Sequence, residues 1–457
     1  MRPSEPSSEG AVLARREARG PRGLPVLGHL GHLARDPLGF FTQCYREYGD
    51  AVALRLGTWP MLLISDPELV EYVLVKDHRN FVKNRFFWRQ VTAVFGNGLL
   101  TSEGDFWHRQ RRLAAPAFTG QRLARYGEVM VRQTQRMLAG WEVGQERDLH
   151  ADMMGLTLRI AAETLFGSEV EEDIDEIDHA VNVLAEEIAT RMARPFVISD
   201  SVPLPGHIRY RRGLRKIEQV IARMISKRRS QGEETADLLS MLMQARDEHG
   251  QPMSDQQLRD EAITIFLAGH ETTALALSWT WHLLTEHPDL EEELAADVSG
   301  TLGGAPATVE DLPRLRSTEH VLLEAMRLYP PAWLIGREAL YDCEIGEYAV
   351  PAGTTIYMSP WVIHRSSSYF EEPEEFQPGR WRGDLAKQLP RFAYFPFGGG
   401  PRVCIGNRFA MMESVLVFAT MVQQFRIERV KGHPVRPLPS ITLRPKGGVW
   451  VRPYTRP

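Results

Sequence analysis

Cysteine is scarce in this sequence. Among 457 residues there are three, Cys44, Cys343 and Cys404. Three cannot all pair, and their spacing matches neither a zinc set nor a CxxC redox pair. A chain of this length buries enough surface to fold without disulfide staples, and the low cysteine use points to a reducing, cytoplasmic compartment. Also missing is any uninterrupted apolar run of ~18 residues, the length a spanning helix needs. Residues 1–24 carry Arg2, Arg15, Arg16, Arg19 and Arg22 without an apolar stretch, which predicts neither a signal peptide nor a membrane anchor there. The formal net charge is only -5, which argues against a nucleic-acid partner. No GxGxxG occurs (GLPVLGHLG at 23–31 does not fit) and no four-cysteine cluster, so no flavin or iron–sulfur motif is encoded. The acidic run at 169–178 lacks the glycine of a calcium loop and reads as a solvated face.

What is present suits a soluble globular protein, with 43% hydrophobic and 25% charged residues. The turn-forming, Arg-rich residues 1–22 are expected to be a flexible tail, leaving 23–457 as one catalytic domain. AVALRL (51–56) and MLLIS (61–65) read as strands around a Gly57 turn. From about 67 to 330 the pattern is mostly helical. Residues 331–380 return to strands and turns punctuated by Pro331, Pro351, Gly353 and Pro360. Helix resumes over 405–425, and Pro434, Pro437, Pro439, Gly447 and Gly448 suggest a terminal hairpin. The fold class is therefore mainly α with small β-sheets (α+β), without internal repeats.

Residues 397–406, FGGGPRVCIG, form a glycine-rich loop feeding a helix. Glycine permits backbone conformations that other residues resist, so such a loop can aim several N–H groups at one sulfur. Those donors, the helix N-terminus and Arg402 favour thiolate over thiol. An anionic cysteine so held suits a nucleophile or a metal ligand, and an inert buried thiol is the plain alternative. The stretch resembles the haem-binding signature of the cytochrome P450 family: Phe397, Gly400, Arg402, Cys404 and Gly406 all match. The resemblance implies the P450 fold, a triangular prism with haem between a long distal helix and the cysteine-ligand loop and helix. It implies that Cys404 is the axial thiolate of a haem b held without any other covalent bond, a ligand that favours O–O cleavage. Phe397 is then expected against the ligand loop and Arg402 at a propionate.

Residues 254–287 read as one long helix, with Ser254 and Gln257 as a capping box and Pro288 as a stop. At ~1.5 Å per residue it spans roughly 48 Å. Its apolar centre is broken by Gly269, His270, Glu271, Thr272 and Thr273. Glycine weakens a helix, threonine bends its ladder, and a buried carboxylate needs a partner. A zincin is excluded, since HExxH would need His at Ala274. AGHETT (268–273) is similar to the oxygen-activation stretch of the P450 distal helix. That similarity implies Thr272 above the iron and Glu271 relaying protons to dioxygen, as a hydroxyl beside a carboxylate can through water. Some fatty-acid hydroxylases of the family carry Glu, esterified to haem, where this chain has Ala268, so no such link is expected.

Glu324 and Arg327 share a helix face, and with Arg380 they resemble the family's buried Glu-Arg-Arg network, a structural device. Trp107 and Arg111 resemble its WxxxR pair, expected with Arg337 at the propionates. The motifs run from 107 to 413. Electrons must then come from a separate ferredoxin or flavodoxin with its reductase. Arg109, Arg111, Arg112, Arg122 and Arg125 lie in an acid-free stretch (106–127), as do Lys387, Arg391, Arg402 and Arg408 (385–412); these should steer an acidic partner. Family analogy places substrate walls at about 82–100, 190–210, 262–273, 331–337 and 438–445, supplying Phe86, Phe87, Trp88, Val94, Phe95, Ala268, Trp333, Leu334 and Ile441. A lipophilic guest is expected, of the fatty-acid, terpenoid or steroid class, with Arg85 and Arg89 as surface arginines rather than carboxylate ligands. The expected activity is monooxygenation using O2 and two electrons by a monomer. The alternative is a peroxide-driven peroxygenase or rearrangement enzyme, which the Glu271-Thr272 pair disfavours. A haem-based gas sensor would need a further domain for which no length remains.

Overall fold

The computed structural model describes residues 16–456 apart from 86–87, 89–90, 93–94, 168–178, 181–182, 185–186, 188–189, 191–201, 203 and 232–236. The acidic run at 169–178 and residues 1–15 of the expected tail lie outside the described residues. Residues 16–22 do not hang free. Arg16 bridges Tyr348 and Arg19 bridges Val52, and Gly20 backs onto Ala53 so closely that a Cβ would sit 2.0 Å from its carbonyl oxygen.

Strands β1 (Ala51–Leu56) and β2 (Trp59–Ile64) pair antiparallel around Gly57, whose φ of 62° needs glycine. β2 runs parallel to β8 (Thr355–Met358), and β5 (Ile335–Ala339) and the short β3 (Phe81–Val82) complete a five-stranded sheet in the order β1-β2-β8-β5-β3. β6 (Cys343–Ile345) and β7 (Tyr348–Val350) form a separate hairpin. At the end of the chain, β10 (Arg436–Pro439) and β11 (Leu443–Lys446) make the expected hairpin, while β12 (Trp450–Thr455) lies between β4 (Arg147–Asp148) and β9 (Phe425–Arg429).

The rest is helical. The helices that build the site are α1 (Gly104–Ala114), α2 (Gly120–Ala139), α3 (Leu149–Phe166), α4 (Asp255–Leu284), α5 (Arg316–Leu328) and α6 (Asn407–Gln424). The capping box at the start of α4 is present: Ser254 accepts from the Gln257 N–H, and Gln257 accepts from the Ser254 N–H. α4 has 30 residues, most of them buried all the way round, as expected of a helix through the core. It packs along α3, α5 and α6, with Trp281 of α4 against Phe418 of α6 (ring centroids 4.7 Å apart). No helix among the described residues is long and apolar enough to cross a membrane.

Candidate functional site

One large cavity of about 1510 Å³ runs between α4, the 396–406 loop and the strand-rich part of the chain. Ordinary ligand pockets hold about 300–1,000 Å³, so this one has room for two guests side by side. Cys404 opens onto it. The loop is built by its glycines: Gly398 (φ 69°) and Gly400 (φ 66°) take left-handed backbone, and a Cβ on Gly400 would lie 1.9 Å from the Leu74 carbonyl oxygen. The Cys404 N–H bonds the Phe397 carbonyl at 3.0 Å. Burial pushes the Cys404 thiol up, against the opposing pull of the Gly406 N–H, at the start of α6, and of Arg111. Phe397 and Gly406 also line the cavity.

Seven cations line the same cavity, and of these Lys83, Arg111, Arg337 and Arg402 group with the cysteine loop. Glu103 is the carboxylate that partners them, ion-paired to Arg402. Desolvation and the two neighbouring guanidinium groups push Lys83 well below its usual range, and desolvation with Arg402 takes Arg337 down to about 10. Arg402 Nη1 is buried and has no hydrogen-bond partner among the described residues, while the Arg402 guanidinium lies 4.2 Å over the buried Trp107 ring. Arg111 donates to the Val403 carbonyl at 2.7 Å. Excess buried positive charge beside a thiol fits a cofactor with anionic carboxylates near its metal. Lys83 has no motif in the sequence; only the fold brings it beside Arg337 and Arg402.

Ala268, Gly269, Glu271 and Thr272 face the cavity from α4. Thr272 Oγ1 donates to the Ala268 carbonyl at 2.8 Å, and Thr273 Oγ1 to that of Gly269 at 3.0 Å, the back-bonding expected of threonine within a helix. Thr273 also lines the cavity but is buried, and it bonds Glu413 of α6, whose carboxyl burial pushes well above its usual range. Glu271 is ion-paired to Arg444. Trp88, Phe95, Trp333, Leu334 and Ile441 line the cavity as expected; Phe86, Phe87, Val94 and Arg89 lie outside the described residues. Arg85 is bound to Glu338, which leaves it no role with a substrate carboxylate.

Glu324 is fully buried and satisfied by Arg327, Arg380 and the Trp381 indole N–H. The acid-free basic face needs correction. Folding supplies acids from other segments, Asp247 to Arg109, Glu248 to Arg112 and Glu71 to Arg391, and Asp384, just before the second stretch, pairs with Lys387. Arg125 and Arg408 are exposed without such partners among the described residues, and the side chain of Arg122 is not among those described.

A thiol open to the cavity in a glycine-built loop, a cationic floor and a polar break in a long core helix make the arrangement expected of a haem-thiolate site. The cytochrome P450 family model matches residues 18–451, and the chain belongs to that family of haem-thiolate monooxygenases. It is similar to cyclooctatin synthase of Streptomyces melanosporofaciens, with 38% identity over 426 residues (93% of this chain, 92% of that protein). Cyclooctat-9-en-7-ol 5-monooxygenase of the same organism is 37% identical over 425 residues (93% and 90%). Pentalenene oxygenase of Streptomyces avermitilis is 34% identical over 424 residues (93% and 94%).

Proposed function

We propose that this chain inserts one oxygen atom of O2 into a cyclic, lipophilic substrate of the terpenoid class, using electrons from a ferredoxin or flavodoxin. Bound haem b supplies the dioxygen-binding iron and its oxidising power. Cys404 gives the iron its thiolate, held by the Gly406 N–H and by a loop that only glycine can form. Lys83, Arg111, Arg337 and Arg402 would hold the propionates, with the Arg402 guanidinium supported 4.2 Å over the Trp107 ring. Thr272 would hold a water on the cavity side of α4, and Glu271 would carry protons to that water. The apolar walls exclude bulk water and bind the guest by desolvation. Two observations favour a terpenoid over a fatty acid: the relatives named for cyclooctat-9-en-7-ol and pentalenene, and the commitment of Arg85 to Glu338.

The observation that carries the assignment is the single thiol opening onto a cavity whose floor has excess positive charge. Reduced parent protein under carbon monoxide should show the strongly red-shifted Soret band of thiolate haem. Cys404→Ala should abolish it; Cys44→Ala and Cys343→Ala should not. A Cys404→Ala protein that kept the band would remove the assignment. Spectral titration with cyclic terpene alcohols, fatty acids and steroids then separates the substrate classes.

A further inference from the structure

Glu271 is held by a segment that the sequence marks only as a wall of the cavity. Its Oε1 accepts three hydrogen bonds: from Thr442 Oγ1 at 2.6 Å, Arg444 Nε at 2.8 Å and Arg444 Nη2 at 2.5 Å. Among the described residues none donates to Oε2. Thr442 and Arg444 are two apart, so they share one face of the extended chain while Leu443 points the other way. Leu443 fixes that segment in place. Its N–H donates to the Pro331 carbonyl at 3.0 Å, and its carbonyl accepts from the Trp279 indole of α4 at 2.8 Å. Three residues earlier, the Ser440 carbonyl accepts from the Trp333 indole at 2.9 Å. Pro331, Trp333, Ser440 and Thr442 all line the cavity with Glu271. The wall that a guest would touch and the anchor of the carboxylate are thus one piece of structure.

The charged and titratable groups around Glu271 come from three elements: Arg444 from β11, His270 from α4 itself, and His150 from α3, whose Nδ1 lies 3.1 Å from Ser278 Oγ of α4. Burial pushes the Glu271 carboxyl up. Arg444, Thr442 and His270 outweigh it and hold the group below the usual carboxylate range.

We propose that Arg444, backed by Thr442, is the positioning residue for Glu271: it pins Oε1 to the cavity wall and leaves Oε2 as the oxygen that takes up and releases the proton. The inference rests on Glu271 being the proton carrier. Arg444 acts only through that carboxylate. Removing the guanidinium leaves burial opposed only by Thr442 and His270, so the carboxyl is raised and freer to swing.

The test uses holoenzyme with Arg444→Gln, Arg444→Lys, Thr442→Val and Glu271→Gln, and the Arg444→Gln/Glu271→Gln pair. Product per NAD(P)H and the thermal midpoint are both followed from acid to alkaline pH. In the parent, the Glu271 carboxyl is depressed. Its stabilisation is therefore present above the ordinary carboxylate range and lost as pH falls through the folded value. In Arg444→Gln the carboxyl is raised, so the variant is destabilised at neutral pH and the gap to the parent narrows on acidification. With Glu271→Gln present, the Arg444→Gln effect should no longer depend on pH. Product per NAD(P)H should fall severalfold in Arg444→Gln, less in Thr442→Val, and recover in part in Arg444→Lys. If Glu271→Gln impairs coupling but Arg444→Gln does not, or if the Arg444→Gln gap in thermal midpoint is the same at every pH, Arg444 only packs and the inference is overturned. If Glu271→Gln leaves coupling intact, the proton-carrier assignment falls first and takes this inference with it.

Discussion

Thr272 and Thr273 are neighbours on α4, yet they point about 100° apart around the helix, and their surroundings give them separate tasks. Both line the cavity, but Thr272 is the more open of the two, while Thr273 is buried and holds the Glu413 carboxyl. Thr272→Ala should keep haem content, substrate binding and the thermal midpoint near parental values. NAD(P)H consumption should continue while product falls and hydrogen peroxide appears. Thr273→Ala should do the reverse: coupling stays, but a buried carboxyl loses its partner, which costs about 1–3 kcal/mol of stability. Glu271→Gln should slow turnover by roughly 10²-fold, the low end for a proton-transfer group. Measuring product per NAD(P)H and denaturation midpoints on the same three proteins separates these roles. A Thr272→Ala enzyme as well coupled as the parent would favour a water-only path or peroxide-driven chemistry.

At the scale of elements, the C-terminal end of α5 is locked to the segment that leads toward the cysteine loop. Arg327 bonds Glu324 at 2.8 and 3.0 Å and also donates to the carbonyls of His364, Pro373 and Glu375. Both side chains are fully buried, with 0% exposure each. Removing one partner leaves the other charged in the core, so Glu324→Ala should cost about 3–5 kcal/mol, read by chemical denaturation, with haem lost early in the transition. The ExxR spacing made this pair visible in the sequence, because a three-residue step puts two side chains on one helix face. The same holds for the capping box of α4, the Gly57 turn and the glycine loop around Cys404, whose signals are all local. Lys83, Glu413, Thr442 and Arg444 carried no comparable signal. Each acquires its role from a segment far away in the chain: Arg402 and Arg337 for Lys83, Thr273 for Glu413, and Glu271 for the hairpin residues. Hydrophobic period and short motifs report neighbours along a helix or strand, not which hairpin closes over which helix.

Across the whole molecule, the basic face illustrates the same limit in the other direction. Two stretches without a single acid looked like a continuous cationic surface, but the fold brings Asp247 within 2.7 Å of Arg109 and Glu248 within 2.7 Å of Arg112. Such pairs cancel at the distances from which an approaching protein feels the field. What is left near the thiolate side is smaller. Tyr126 of α2 packs edge-on against Phe409 of α6, with ring centroids 5.7 Å apart. Their sequence neighbours Arg125 and Arg408 are both exposed, so two uncompensated cations sit where α2 meets the helix that follows Cys404. An acidic electron donor should be steered there. Arg125→Glu and Arg408→Glu should therefore slow the first reduction by ferredoxin, with the larger effect in the double variant. The charge-neutral double variant Arg112→Gln/Glu248→Gln should change little, because it removes a pair that already cancels. The differences should be widest near 0.01 M salt, where the screening length is ~30 Å, and should shrink toward 0.15 M, where it is ~8 Å. Substrate affinity should stay constant, since neither arginine lines the cavity. Stopped-flow reduction under carbon monoxide reads the rate directly. Parental rates in Arg125→Glu, Arg408→Glu and their double variant would move the docking face elsewhere on the molecule.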